Sequence, residues 1–392
     1  MKRFFSLFIL LALVTTTMPV SAQAADFEVS GWIPYWKSTE GTKDAKKHLS
    51  ELTEVNPFAY SVTSNGDLKD LAGLKKSVWK NFFKAADKKD VRIIPTIMWS
   101  DTNNIHRILS DSDLREDHID EIVNMVKKGK YDGVDIDYEA KLAATRPYFS
   151  TFLKELDEEL GTKMLACTIE ARTPPDSLYR TIPANLEYAN DYKEINTYCD
   201  RVRIMAYDQQ RADIKLNDAR SGSPYMPVAD PAWAEKVIQL ALKDIDEDKL
   251  VLAVPTYGFE YTLTVSPNWY QNYARQWSVT DAYAKDLADD LNIEPMRNAA
   301  GELSFSYIST TTPSMIPRST RAPSGTPEGN EAAARALAYA NATGATTQVN
   351  LVWWTDAEAV ERKVDLAKKY GLRGIAIFRV DGTEDQDIWD LF

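Results

Sequence analysis

Between Val29 and Phe378 the chain repeats one arrangement, a short apolar run rich in strand-forming residues followed by a longer stretch with apolar residues at helical spacing. Eight runs can be marked: Val29 to Tyr35, Pro57 to Val62, Val91 to Met98, Gly133 to Glu139, Met164 to Glu170, Arg201 to Tyr207, Leu250 to Tyr257 and Gly374 to Phe378. Leu114 to Lys130, Tyr148 to Leu160 and Pro231 to Asp244 carry helical periodicity between them. A helix that brings the chain back across a sheet leaves the next strand parallel to the last, so the repetition predicts an α/β fold. Eight such units close into a (β/α)8 TIM barrel, with an open doubly wound sheet as the alternative.

The rhythm breaks after the seventh run. About ninety residues pass before Val349-Asn350-Leu351-Val352 resumes an apolar pattern. The segment 259–348 contains Trp269, Trp277, many Thr and Ser, and a proline-rich stretch from Pro313 to Pro327. It reads as a small α+β subdomain inserted at the rim of one catalytic barrel that spans 25–392.

Lys2 and Arg3 precede an apolar run from Phe4 to Val14, and Ser21, Ala22 and Ala24 follow, which is the pattern of a secretory signal peptide over 1–24. That run is too short to cross a bilayer and no later one is longer, so no membrane insertion is expected. Gln23-Ala24-Ala25-Asp26 offers no cysteine for a lipid. The expectation is a secreted monomer, extracellular or wall-associated. The formal charge of −12 becomes −14 when Lys2 and Arg3 leave with the signal, which disfavours nucleic acid and anionic lipid and suits a neutral polymer. Cys167 and Cys199 are open to one disulfide or to two buried thiols. His48, His106 and His118 lie far apart without ligand spacing, so no metal, cofactor or Ser-His-Asp triad is expected.

The stretch carrying most chemistry is Tyr131-Asp132-Gly133-Val134-Asp135-Ile136-Asp137-Tyr138-Glu139. Strand side chains alternate, so Asp135, Asp137 and Glu139 share one face and Val134, Ile136 and Tyr138 the other, with acids about 6 to 7 Å apart in Cα spacing. Packing the apolar set against helices sends the acids into the barrel interior near its C-terminal mouth. Carboxylates this close cannot all ionise, so at least one proton is retained, as a general acid at neutral pH requires. A solvated acidic loop or calcium site is the alternative, but it leaves three strand formers with nothing to pack on.

Asp132-x-x-Asp135-x-Asp137-x-Glu139 resembles the D-x-x-D-x-D-x-E signature of glycoside hydrolase family 18, the chitinases and their relatives. Met205-Ala206-Tyr207-Asp208 is similar to that family's M-x-Y-D, and Pro255-Thr256-Tyr257-Gly258 to its P-x-Y-G. Trp353-Trp354-Thr355-Asp356 and the segment Gly374 to Trp389 look most like bacterial members associated with cell-wall and spore-wall glycans. The resemblance implies hydrolysis of β-1,4 links next to N-acetylglucosamine by a retaining, substrate-assisted route. In that scheme Glu139 protonates the glycosidic oxygen, Asp137 orients the substrate acetamide, Asp135 tunes Asp137, Tyr207 hydrogen-bonds the acetamido oxygen and Asp208 binds sugar.

Sugar rings present apolar faces, so a groove for an N-acetylglucosamine-containing polysaccharide needs aromatic platforms. Trp36, Trp99, Tyr257, Trp354 and Phe378 are the candidates, with Trp36 and Trp354 preferred. Two departures from the family stand out: Ile93 to Ser100 lacks the Ser-x-Gly-Gly pattern of many chitinases, and Phe378 stands where many members carry tryptophan. A non-catalytic, lectin-like protein of the same fold is the competing function, and a metal-dependent deacetylase lacks a ligand set.

Overall fold

The computed structural model describes residues 27–309 and 315–392. The segment 1–24, read from the sequence as a signal peptide, and the start of the proline-rich stretch, including Pro313, lie outside the described residues.

Eight barrel strands occupy Glu28–Pro34, Glu54–Val62, Thr96–Trp99, Gly133–Tyr138, Met164–Glu170, Arg201–Met205, Leu250–Pro255 and Gly374–Phe378. Each pairs in parallel with the next, and the last pairs with the first, Val29 opposite Ile375, so the sheet is a closed TIM barrel and not an open doubly wound sheet. The third run is split into a short strand, Arg92–Ile93, and Thr96–Trp99, because Pro95 has no N–H to give the ladder. Gly133 and Gly374 begin strands where a side chain has no room: an added Cβ would lie 2.1 Å from the Met164 carbonyl and 1.9 Å from that of Glu28.

Helix limits follow local chemistry. Ser112–Gly129 starts at Asp111, whose carboxylate accepts from the Asp113 and Leu114 amides. Arg146–Leu160 has Pro147 in its first turn, and Pro231–Ala241 is capped by Asp230. Val134, Ile136 and Tyr138 point outward into the layer these helices cover, against Phe149 and Phe152. Inside the barrel the packing is charged. Glu28 pairs with Arg92, Arg201 and Arg373 near the floor, and Arg203 pairs above with both Glu54 and Asp135. Burial alone would raise Glu28, yet Arg201 and Arg373 hold it down at about 2.

A second, antiparallel sheet is inserted after the seventh strand. Its order is Trp269–Thr280, Tyr257–Ser266, Thr347–Trp354, Leu303–Tyr307, Met296–Arg297, so it reaches past both ends of the segment 259–348. Helix Glu331–Thr343 covers one face, over Phe259, Tyr261, Leu263 and Leu351. Helix Asp281–Leu291 covers part of the other, over Val279, Phe305, Val352 and Trp354. Gly258 permits the junction, since an added Cβ would lie 2.1 Å from the Trp353 carbonyl.

Cys167 and Cys199 form a disulfide between the fifth strand and the end of helix Tyr192–Tyr198. All three histidines are in structural settings: His118 bonds the Tyr138 hydroxyl and the Gly66 carbonyl, His106 bonds Thr145, and His48 stacks on Trp389. Among the described residues no helix is long and apolar enough to cross a membrane.

The turn after the eighth strand is locked to the first helix, Ser38–Ala45, by two buried carboxyls. Glu384 accepts from the backbone N–H groups of Asp381, Gly382 and Thr383 and shares a hydrogen bond with Asp44. Burial first, and Asp44 second, push Glu384 up to about 8. A raised folded pKa gives stability that is complete below the ordinary value of 4.5 and is lost as pH rises through about 8. The melting temperature is therefore expected to fall by several degrees between about pH 5 and about pH 8.5, and Glu384→Gln to flatten that slope, both readable by calorimetry.

Candidate active site

The strand carrying the acidic signature delivers its residues to different depths. Asp132, the first acid, is at the floor, where it accepts from the Ile93 amide at 2.8 Å and joins neighbouring strands. Asp135 is fully buried and receives Thr96 Oγ1 at 2.8 Å, Thr168 Oγ1 at 2.8 Å and Trp32 Nε1 at 3.2 Å, with Arg203 Nη1 at 2.9 Å. Its charge has an answer on every side.

Asp137 lies two residues nearer the mouth and is less fully answered. It is 3% exposed, and its Oδ1 has no hydrogen-bond partner among the described residues. Burial, then the charges of Glu139 and Asp135, push it well above the usual carboxylate range, against the opposing charge of Lys141. Glu139 is half-buried at the mouth, its amide bonded to the Trp99 carbonyl. Burial and the nearby carboxylate of Glu170 raise it, against the opposing charge of Lys141. The upward shifts among the three aligned acids thus fall at their upper end, on Asp137 and Glu139.

Lys141 and Glu170 form a pair behind the acid. The Lys141 ammonium is buried, donates to the Tyr138 carbonyl, lies over the Phe149 ring at 4.6 Å and stands 3.8 Å from Glu170. Burial pushes Lys141 down. For Glu170, burial is outweighed by Lys141, by Asn190 and by the Ala140 amide, and the net shift is downward.

Above Asp137 and Glu139 a cavity of about 380 Å³ opens at the barrel mouth. Phe378 lies at its base, stacked on Tyr207 at 5.6 Å and edge-on to Trp32 and Phe58, both at 5.9 Å. Tyr207 stays a neutral donor, since burial and then the charge of Asp137 push its hydroxyl well up. Asp208 adopts a left-handed backbone, φ 55°, and accepts from the Tyr257 hydroxyl at 2.7 Å. A smaller groove of about 280 Å³, lined by Met98 and Trp99, meets the cavity at Phe58, Asp137 and Glu139. The two acids therefore stand in the middle of a cleft, with room on either side for parts of a chain-like ligand. Among the described residues no group of three or more His, Cys, Asp or Glu side chains is arranged to hold a metal ion.

The structure thus gathers Glu139, Asp137, Tyr207, Asp208, Tyr257 and Phe378 around one cavity, with Asp135 beneath. Trp99 is 5% exposed and packs edge-on to Tyr138, so it presents little more than a rim to the side groove. Trp36 is 47% exposed at the rim, edge-on to Phe58 and beside Arg379. Trp354 is not a platform: it is fully buried between the inserted sheet and helix Asp281–Leu291, its indole N–H donating to Asp281. Its strand belongs to the second sheet, and the side chain turns to the face away from the cavity. Trp32, Phe58, Thr168, Arg203, Lys141 and Glu170 were not anticipated. For Arg203 a signal existed, because Arg201, Arg203, Met205 and Tyr207 share the inward face of their strand.

Comparison with known proteins agrees with this geometry. Residues 31–383 match the sequence profile described as glycosyl hydrolases family 18. The uncharacterized glycosylase YvbX of Bacillus subtilis (strain 168) is 21% identical over 286 residues, 72% of this chain and 67% of that protein. The cortical fragment-lytic enzyme of the same organism is 22% identical over 70% of this chain, which spans only 52% of that protein. Among solved structures, the Bacillus cereus spore cortex-lytic enzyme SleL superposes with a TM-score of 0.66 at 19% identity, covering 93% of this chain and 73% of its own. A chitinase from Chromobacterium violaceum superposes with a TM-score of 0.68 at 18% identity, covering 93% and 97%. The profile spans nearly the whole described barrel, and the chain belongs to glycosyl hydrolase family 18.

Proposed function

We propose that this protein is a secreted glycosidase that hydrolyses β-1,4 linkages next to N-acetylglucosamine, in chitin or peptidoglycan, with retention of configuration and with help from the substrate's own acetamido group. The observation that carries the reading is the buried Asp137, its Oδ1 without a hydrogen-bond partner and its carboxyl pushed up, set between the saturated Asp135 and the half-buried Glu139. Family membership supports glycoside hydrolysis, and the likeness to chitinases and cortex-lytic enzymes supports an amino-sugar polymer.

The residues divide the work as follows. A sugar stacked on Phe378 places its acetamido group toward Asp137 and the Tyr207 hydroxyl. Asp137 and Tyr207 orient the amide so that its carbonyl oxygen forms a bond to the anomeric carbon as the glycosidic C–O bond breaks. Glu139 gives its proton to the departing oxygen. The resulting oxazolinium cation lies next to the acidic pair, which is where positive charge is best tolerated. Water then attacks the anomeric carbon from the vacated side, loses its proton to the Glu139 carboxylate and reopens the ring, restoring both acetamide and acid.

Replacing Glu139 with Gln removes the donor and keeps the shape, so turnover of chitin oligomers or peptidoglycan is expected to fall by about a hundredfold or more with oligosaccharide affinity retained. Mutant activity within about tenfold of the wild type would contradict the assignment, and binding without turnover in the wild type would favour the lectin-like alternative. Parallel digestion of both polymers with mass analysis identifies the natural one. Substrates without the N-acetyl group are expected to resist cleavage, and NMR to show the β-anomer as first product.

Two further outcomes follow from the cavity. Activity depends on protonated Glu139, so it is lost as pH rises through the Glu139 pKa. Glu170→Gln removes a negative neighbour and is expected to move that alkaline limb to lower pH in the kcat/KM profile. Phe378→Ala is expected to remove stacking worth about 1 to 3 kcal/mol, lowering affinity and turnover together. A variant with a lower melting temperature but normal kinetic constants would assign Phe378 to packing alone.

A further inference from the structure

The inserted sheet has a second cavity, of about 540 Å³, which shares no lining residue with the one over Glu139. Its floor is polar, built from Glu260, Thr262, Gln348 and Asn350, and Trp277 forms a wall. Glu260 is three residues beyond Tyr257 on one strand, so the two side chains leave opposite faces: Tyr257 toward the catalytic cavity, Glu260 away from it.

Glu260 is in an unusual position for an acid. It is 1% exposed and has no ion-pair partner among the described residues. Its Oε1 accepts from the Tyr307 hydroxyl at 2.6 Å and from Asn350 at 3.1 Å, whereas Oε2 is buried without a hydrogen-bond partner. A buried carboxylate oxygen without a donor is costly, and a ligand bringing hydroxyl groups would remove that cost. Trp277 opposes it across the ladder, 52% exposed, and Tyr283 from helix Asp281–Leu291 is 41% exposed alongside. The Tyr283 hydroxyl faces the carboxylate without closing a hydrogen bond of normal length to Oε2, and an acceptor with room for a further donor beneath exposed aromatic faces matches a ligand with an apolar ring face and a rim of hydroxyls.

The face continues. Glu260 pairs with Trp277 and Ser266 with Trp269, and Glu260 and Ser266 lie an even number of residues apart on their own strand, so the two tryptophans look outward from the same side although their strand bulges between them. Trp269 is 54% exposed. The six-residue step between the paired positions separates them by about 20 Å, a span suited to an oligosaccharide.

We infer that the outer face of the inserted sheet is an accessory glycan-binding site, with Trp277 as stacking platform, Glu260 as hydroxyl acceptor and Trp269 as a distal contact. It rests on the glycosidase reading only for the identity of the polymer. Facing away from the catalytic cleft, the site holds an insoluble chain against the protein while a separate segment is cleaved.

The test uses the full mature chain with Glu139→Gln, so that binding is read without hydrolysis, on insoluble chitin, insoluble peptidoglycan and cellulose. Trp277→Ala and Glu260→Gln, each added to that protein, are expected to weaken retention on at least one amino-sugar polymer by about tenfold, and Trp277→Tyr to recover most of it. With Glu139 restored, Trp277→Ala is expected to slow release from the insoluble polymer and to leave kcat/KM on a short soluble oligomer within about twofold. Unchanged retention in both variants overturns the inference, as does retention lost only because Trp277→Ala converts a dimer to a monomer in size-exclusion chromatography, or binding competed by simple ammonium ions instead of sugars. Trp277-dependent binding without hydrolysis of any glycan by the wild type upholds the accessory site and overturns the glycosidase reading instead.

Discussion

A guanidinium in the middle of the barrel sets the terms for the rest of the site. Arg203 is almost wholly buried and pairs with Glu54 below and Asp135 above. A lone charge there would cost many kcal/mol, and removing either acid would strand the cation, so the arrangement is committed as a unit. Asp135 also takes three hydrogen bonds from Trp32, Thr96 and Thr168, each on a different strand. The consequence lies one step up the same face. Asp137 is buried at the base of the cleft with Glu139 above and Asp135 beneath, and burial followed by those two charges raises its carboxyl well above the usual range. The acid pair at the mouth is thereby prepared from beneath by Arg203, Glu54 and Asp135, none of which lines the cavity.

The inserted sheet completes the cavity from the other side. Tyr257 closes the wall by bonding Asp208, and Phe378 sits between Tyr207, Tyr257, Trp32 and Phe58. Phenylalanine fills the base with a smaller ring than tryptophan and brings no N–H that would need a partner there. The same sheet turns an aromatic and polar surface outward, so one insertion contributes to two separate cavities.

Much of this was legible in the sequence wherever a period of two could be read. The alternation of Asp135, Asp137 and Glu139 with Val134, Ile136 and Tyr138 set which side faces the interior, and the eight runs set the barrel. What remained hidden depended on contacts distant along the chain. Trp354 looks like a rim residue from its neighbours, but its strand is paired with Gly258 and Leu303, and that pairing turns it into a core. The opposition of Lys141 to Glu170 joins the loop after the fourth strand to the end of the fifth, which no local pattern connects. Arg203 could have been found by applying the two-residue period to its own strand, since a cation in the middle of an inward face requires buried acids opposite.

The central physical claim is that burial, and then the charges of Glu139 and Asp135, favour the protonated form of Asp137. Neutron diffraction from deuterium-exchanged crystals of the protein at near-neutral pD reads that proton directly. The account predicts a deuteron on the Asp137 carboxyl, and an ionised Asp137 beside an intact Asp135–Arg203 pair would contradict it.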